Sequence, residues 1–301
     1  MSTTLSTSPA RRTGTRTRTA ASRSPRPRPA LVPTAVLLLG ALYCLFPVVW
    51  VLIASTKSRA ELFSTFTLTP GGSLVDNVRN LSAYYSGLYW RWMLNTALYA
   101  GVGALLSAAL SGLSGYTLAK YRFRGRALLF NVLLAGVLVP GITLAIPQYL
   151  LMAKVGLTDS YLSVLLPSII SPYGIYLARI YAAAAIPDSL IEAARADGAS
   201  EWRIFRSVAV PSMVPGLVTV FLFQFVAIWN NFLLPFIMLS DDHKFPVTVG
   251  LYTMLSQGNT TPALYTLVLT GALLSVAPLV ALFLALQRYW RVDLLTGAVK
   301  G

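Results

Sequence analysis

The sequence predicts an all-α polytopic membrane protein with six transmembrane helices, and three observations predict it. First, 55% of the 301 residues are hydrophobic and only 11% are charged, against about 25% charged in an ordinary soluble domain. Second, six stretches of about 18 or more residues contain no Asp, Glu, Lys, Arg or His, the length and apolarity needed to cross a bilayer. Third, the basic residues alternate with those stretches, eighteen Lys and Arg falling on one side and six on the other. The richer side is cytoplasmic by the positive-inside rule, which places both termini there.

Residues 1–30 are rich in Arg, Ser, Thr and Pro, contain no acid, and form a basic cytoplasmic tail expected to be disordered. The first span, 31–55, is ~37 Å long at ~1.5 Å per residue and lacks an A-x-A cleavage site, so it reads as a retained helix. An extracytoplasmic loop follows at 56–92. In the second span, 93–119, Gly103, Ser107, Ser111 and Gly115 recur every four residues beside a row of Ala100, Ala104, Ala108 and Gly112. Such small faces let helices approach closely, within the chain or in a partner. The third span (127–151) carries Pro140 and Pro147, the fourth (161–178) Pro167 and Pro172, the fifth (212–239) Pro235 and the sixth (264–286) Pro278. Each proline removes a backbone donor and invites a kink. A second outer loop, 240–263, separates the last two spans, and 287–301 is a cytoplasmic tail.

Several function classes are excluded. The chain has no Gly-Lys dipeptide, so it has no GxxxxGK[ST] phosphate-binding loop. HExxH, GxSxG and SxxK are absent as well, and no enzymatic centre is expected. With one cysteine, Cys44, and one histidine, His243, in the polar run Asp241-Asp242-His243-Lys244, no metal site is predicted. The net charge of +14 comes half from the N-terminal tail, not from a basic face for nucleic acid. A proton-coupled carrier is disfavoured because no ionisable group sits within a span.

The most informative stretch is the polar segment 186–211 between the fourth and fifth spans, which reads as two short helices. Asp188 or Ser189 is positioned to cap the first, and Ser189-Leu190-Ile191-Glu192 has capping-box spacing. Gly198 supplies a left-handed C′ residue, Ser200 restarts the helix at Glu201, and Val210-Pro211 closes it. Leu190, Ala193, Ala194, Ile204 and Val208 give the hairpin an apolar side, suited either to a groove on another protein or to a lipid surface.

Here the residues carry a resemblance. Glu192-Ala193-Ala194-x3-Gly198-x9-Val208-x-Val210-Pro211 resembles the EAA motif of bacterial ABC importer permeases, EAA-x3-G-x9-I-x-LP, with Val in place of both Ile and Leu. The likeness covers roughly 91–301, with 91–286 as the ABC transmembrane type-1 domain. It is similar to the MalG-type branch of carbohydrate permeases of the maltose system, through Pro140 to Tyr149, Asp197-Gly198-Ala199-Ser200, Phe225 to Phe232 and Gln287-Arg288-Tyr289. Trp229-Asn230-Asn231-Phe232 stands where such relatives commonly read Trp-Asn-Glu/Asp-Phe, which removes one carboxylate.

The resemblance implies an ABC type I importer permease (MetI-like) core in the bacterial inner membrane. It assigns to Ser189, Glu192, Ala193, Ala194, Asp197, Gly198 and Pro211 the loop that couples to a cytoplasmic ABC ATPase dimer. Further partners implied are a second, unlike permease subunit, an extracellular solute-binding protein and a sugar. ATP would be bound by the ATPase, and this chain would need no cofactor of its own. For the substrate path, Gln224 and Asn231 lie at i and i+7 on one face of helix five, beside Trp229 and Asn230. Those amides suit sugar hydroxyls, and equally suit hydrogen bonds to neighbouring helices. Glycerol phosphate as the solute, or a non-transport scaffold recruiting a partner through 186–211, are the alternatives.

Overall fold

A computed structural model describes residues 31–298 apart from 67 and 259, and for 31 and 290–298 it describes the helical path only. The expected disordered tail 1–30 and the last residues, 299–301, lie outside the described part. The chain divides into two units, 1–46 and 47–301. Among the described residues there is no strand, and fourteen α-helices follow one another. Four of them are long and apolar enough to span a membrane, and two bent pairs bring the number to six when each pair counts as one span.

The first unit holds the start of helix α1 (Leu31–Ser55), which coincides with the first predicted span. In the second unit, the expected loop 56–92 is folded. Helix α2 (Arg59–Ser64) opens with a capping box in which Ser58 Oγ accepts from the Glu61 amide at 3.3 Å and the Ser58 amide donates to Glu61 Oε2 at 2.8 Å. Helix α3 (Leu74–Ala83) is tied down by buried Asn77, whose Nδ2 donates to the carbonyls of Ser55 and Lys57 at 2.9 Å each.

Helix α4 (Leu88–Lys120) is the central rod. Both of its small-residue rows are buried and pack against α8 (Pro172–Ala185) and α11 (Val210–Trp229), so the rows serve packing within the chain. A methyl group at Gly115 would sit 2.6 Å from the Arg179 amide, and one at Gly103 would sit 2.8 Å from Ile228 Cδ1. The backbone approach is therefore set by the missing side chains.

The third predicted span is not a straight rod. It is α5 (Arg126–Leu138) and α6 (Gly141–Lys154), bent by 105°. Pro140 has no amide to continue the ladder, and it forces Val139 into extended geometry (φ −76°, ψ 120°). The fourth span breaks by 40° between α7 (Tyr161–Ser168) and α8, where Ser171 accepts the Gly174 amide at 3.0 Å and Pro172 opens the new helix. The fifth, expected to be continuous over 212–239, stops at Trp229, and α12 (Leu233–Met238) resumes after Asn230-Asn231-Phe232. The sixth runs on: α14 spans Leu264–Ala298, so helix replaces most of the tail expected from 287.

At the end of the bundle away from the 186–211 hairpin, α4 grips the turn before α13 (Val247–Gln257). Trp92 Nε1 donates to the Asp242 carbonyl at 2.8 Å, Asn95 Nδ2 to those of His243 and Phe245 at 2.8 and 3.0 Å, and Tyr99 Oη to that of Lys244 at 3.0 Å. Around these side chains lies the larger apolar core, with Tyr89, Trp92, Tyr99, Phe225 and Trp229 buried. His243 itself is exposed.

Candidate functional site

The hairpin 186–211 is built on a second core. Ile186, Ile191, Ile204, Ala209 and Met213 are buried with Tyr116 of α4 and Ala178 and Ala182 of α8. The hairpin thus shares its inner side with two membrane helices. Its first helix, α9 (Asp188–Ala196), starts after Pro187, which offers no side-chain acceptor, and no side-chain cap forms. The capping-box expectation therefore fails: Ser189 lies inside the first turn. Asp188 instead pairs with Lys120 Nζ at 2.8 Å. That hydrogen bond and the charge behind it hold the Asp188 carboxyl below its ordinary pKa.

The end of α9 follows the expectation closely. Gly198 has φ +79°, its amide donates to Arg195 O, and the Ala199 amide donates to Ala194 O, both at 3.0 Å. These two bonds make a Schellman motif. Ser200 then caps α10 (Glu201–Ile204) through the Arg203 amide at 3.4 Å. Pro211 does not close a separate helix as expected. A π-helical turn, Phe205–Ala209, joins α10 to α11, the Val210 amide reaching back five residues to Phe205 O. Pro211 therefore lies at the start of α11 directly after the π-helical turn, inside one continuous helical run from Glu201 to Trp229.

Sequence reasoning missed the brace across the elbow. Arg195 Nε and Nη2 meet Glu201 Oε1 and Oε2 at 2.7 and 3.2 Å, and Tyr121 Oη donates to Glu201 Oε2. Lys120 and Tyr121 close α4, so two bonds link the hairpin directly to the central rod. Arg195 and Glu201 are six apart across a glycine turn, which is a readable signal, whereas the contributions of Lys120 and Tyr121 need the tertiary fold. On the outer side, Glu192, Ala193, Asp197 and Gly198 are exposed and Ala194 is half-buried. Leu190 is 47% and Trp202 64% exposed, an uncovered apolar surface on an otherwise anchored element.

Farther along the bundle the breaks in three spans meet at a cavity of about 430 Å³, lined by residues that include Gln148, Pro167, Ser168, Gln224 and Asn231. Gln224 Nε2 donates at 2.9 Å to the Ser168 carbonyl, which the α7–α8 break frees. Its Oε1 still has acceptor capacity. Asn231 Oδ1 accepts the Leu234 amide at 3.4 Å, leaving Nδ2 to donate. Gln148, absent from the expected set, adds a third amide. No lining residue is charged. Of the other residues expected on this path, Trp229 is 3% exposed and stacks on Phe225 at 5.4 Å. Asn230 donates to Val226 O at 2.8 Å. Neither lines the cavity, because the helix phase that brings Gln224 and Asn231 to it turns their neighbours away.

Broken apolar helices around an uncharged polar cavity, with an anchored hairpin at one end, define a helical membrane transport component. The chain belongs to the binding-protein-dependent transport system inner membrane components, the family whose model matches residues 104–291. It is 34% identical to the arabinooligosaccharides transport system permease protein AraQ of Halalkalibacterium halodurans, over 87% of this chain and 93% of that protein. It is 31% identical to the lactose transport system permease protein LacG of Rhizobium radiobacter, over 90% and 96%. A third relative, the sn-glycerol-3-phosphate transport system permease protein UgpE of Salmonella typhimurium, is 30% identical over 84% and 91%. Among solved structures, a bacterial ABC transporter involved in the import of the acidic polysaccharide alginate has a chain that superposes with TM-score 0.73 at 25% identity. That match covers 86% of this chain and 95% of the other.

Proposed function

We propose that this chain is one of two unlike permease subunits of an inner-membrane ABC importer for a neutral sugar or oligosaccharide, with both termini cytoplasmic. The observation that carries the reading is the anchored hairpin 186–211, with Leu190 and Trp202 exposed, Lys120 and Tyr121 tying it to α4, and the Arg195–Glu201 pair bracing its elbow. An element that only lay on lipid would need no such brace. An element that receives force from a docked ATPase needs it, since a loose lever moves without moving the helices behind it. ATP bound by the separate ATPase dimer closes that dimer, the hairpin follows, and α4, α8 and α11 turn with it. The pair of permeases then opens to an extracellular solute-binding protein docked on 56–92 and 240–263.

The uncharged cavity supports a neutral substrate. Amides of Gln148, Gln224 and Asn231 match hydroxyls, and an anion there would be desolvated without a cation to pair with. This favours sugar over the glycerol phosphate named for one relative. The test is site-specific cross-linking from Leu190 and Trp202 to the co-expressed ATPase subunit. Capture at both positions, weakened by ATP-driven conformational change, is expected. Cross-links to lipid alone would sink the coupling role.

A further inference from the structure

A second cavity lies at the opposite end of the bundle from the hairpin, about 430 Å³ in volume, walled by Tyr84, Tyr85, Trp92, Asp242 and Gln257. It shares no residue with the cavity around Gln224. Its walls are held in place from several sides. Tyr84 and Tyr85 meet edge to face at 4.7 Å, and Tyr85, 73% exposed, is presented by a run of three left-handed residues: Tyr85 (φ 40°), Ser86 (φ 56°) and Gly87 (φ 92°). Two of these carry side chains, and L residues adopt that geometry only against a steric penalty. Asp242 is fixed through its own carbonyl by Trp92 Nε1 at 2.8 Å.

The polar groups facing this cavity differ in how far they are already engaged. Asp241 is committed, its Oδ1 to the His243 amide at 2.9 Å and its Oδ2 to Lys244 at 3.2 Å. Asp242 has only His243 Nε2 at 3.9 Å, beyond hydrogen-bonding distance. Gln257 and Tyr84 line the cavity as well. Burial first, then Tyr85 and Asp242, raise the Tyr84 pKa above its ordinary value, so its hydroxyl stays a donor. Aromatic faces carry negative charge density that attracts the weakly positive C–H side of a sugar ring. A carboxylate and an amide at the rim accept hydroxyl protons, and the carboxylate repels anionic sugars.

We propose that this outer cavity is a saccharide station: it binds one or two neutral sugar units, with Tyr85 as the platform and Asp242 and Gln257 as hydroxyl acceptors. It rests on the importer reading above and adds to it a stop distinct from the membrane cavity. The probe is lactose at millimolar concentration, observed by saturation-transfer difference NMR on the assembled complex in nanodiscs without binding protein or ATP.

Wild type should show transfer to lactose. Tyr85→Ala and Asp242→Asn should each lower it at least fivefold, and Tyr85→Phe should keep it. No transfer in wild type, or equal transfer in Tyr85→Ala, overturns the station. If those results come while ATP-driven sugar uptake persists, the importer reading survives without it. Absence of any sugar uptake overturns both. A Tyr85→Ala change that only raises the KM for loaded binding protein makes the cavity a protein contact and also overturns the proposal.

Discussion

Replacing Gly198 with Ala isolates the turn on which the hairpin depends. A Cβ at that position meets nothing within 4 Å, so no clash enters and the whole penalty is backbone conformation. At φ +79° an L residue is disfavoured by about 1–2 kcal/mol. Applied to local opening of the Schellman turn, that is a factor of about 5–30 in the opening equilibrium. Hydrogen exchange on the intact complex should then show the amides of residues 198 and 199, which donate to Arg195 O and Ala194 O, exchanging faster by about that factor. Gly198→Asn should do so less, since Asn tolerates the left-handed region better. Substrate-stimulated ATP hydrolysis should fall in the same order. Unchanged exchange in the Ala variant, or Asn and Ala variants that behave alike, would refute the reasoning.

Glu201→Gln removes the charge shared by Arg195 and Tyr121; the ion pair is exposed, and water screens most of its contribution to stability. Thermal stability should therefore barely change while uptake per ATP hydrolysed drops, measured in proteoliposomes. Gln224→Leu strands the Ser168 carbonyl at the α7–α8 break and should destabilise the detergent-solubilised chain by about 1–3 kcal/mol in a thermal unfolding assay. At the opposite end, amides of Ser240 and Asp241 first, then Lys244, hold the Asp159 carboxyl below its ordinary pKa. A depressed folded pKa means that its stabilisation is complete above the unfolded value of about 3.9 and is lost as pH falls through the lower folded value. Exchange protection at 240–244 should be flat from pH 7 to 5 and fall only below that, whereas Asp159→Asn should loosen the segment already at pH 7.

What was legible in the sequence was local. Gly198 and Ser200 read correctly because a left-handed stop and a side-chain cap act within a few residues. Pro140 and Pro172 announced breaks, but the 105° and 40° angles follow from how the flanking helices pack. Ser189 misled because the helix begins one residue earlier and Lys120, 68 residues from Asp188 in sequence, claims that carboxylate. The break at Asn230-Asn231 is hidden in a continuous apolar run, and Trp229, next to the cavity residues in sequence, is turned by the helix phase into the core against Phe225. Helical period tells which residues share a face and not which neighbour that face meets.

The measurement that tests the account most directly is uptake of radiolabelled lactose and arabinotriose into proteoliposomes holding the full complex, comparing wild type with Gly198→Asp. Uptake of at least one sugar should require ATP, the ATPase subunit and the loaded binding protein. Gly198→Asp should abolish uptake and stimulated hydrolysis while the permease pair stays assembled in the membrane. Uptake that continues without the ATPase subunit, or that Gly198→Asp leaves untouched, would contradict the importer reading.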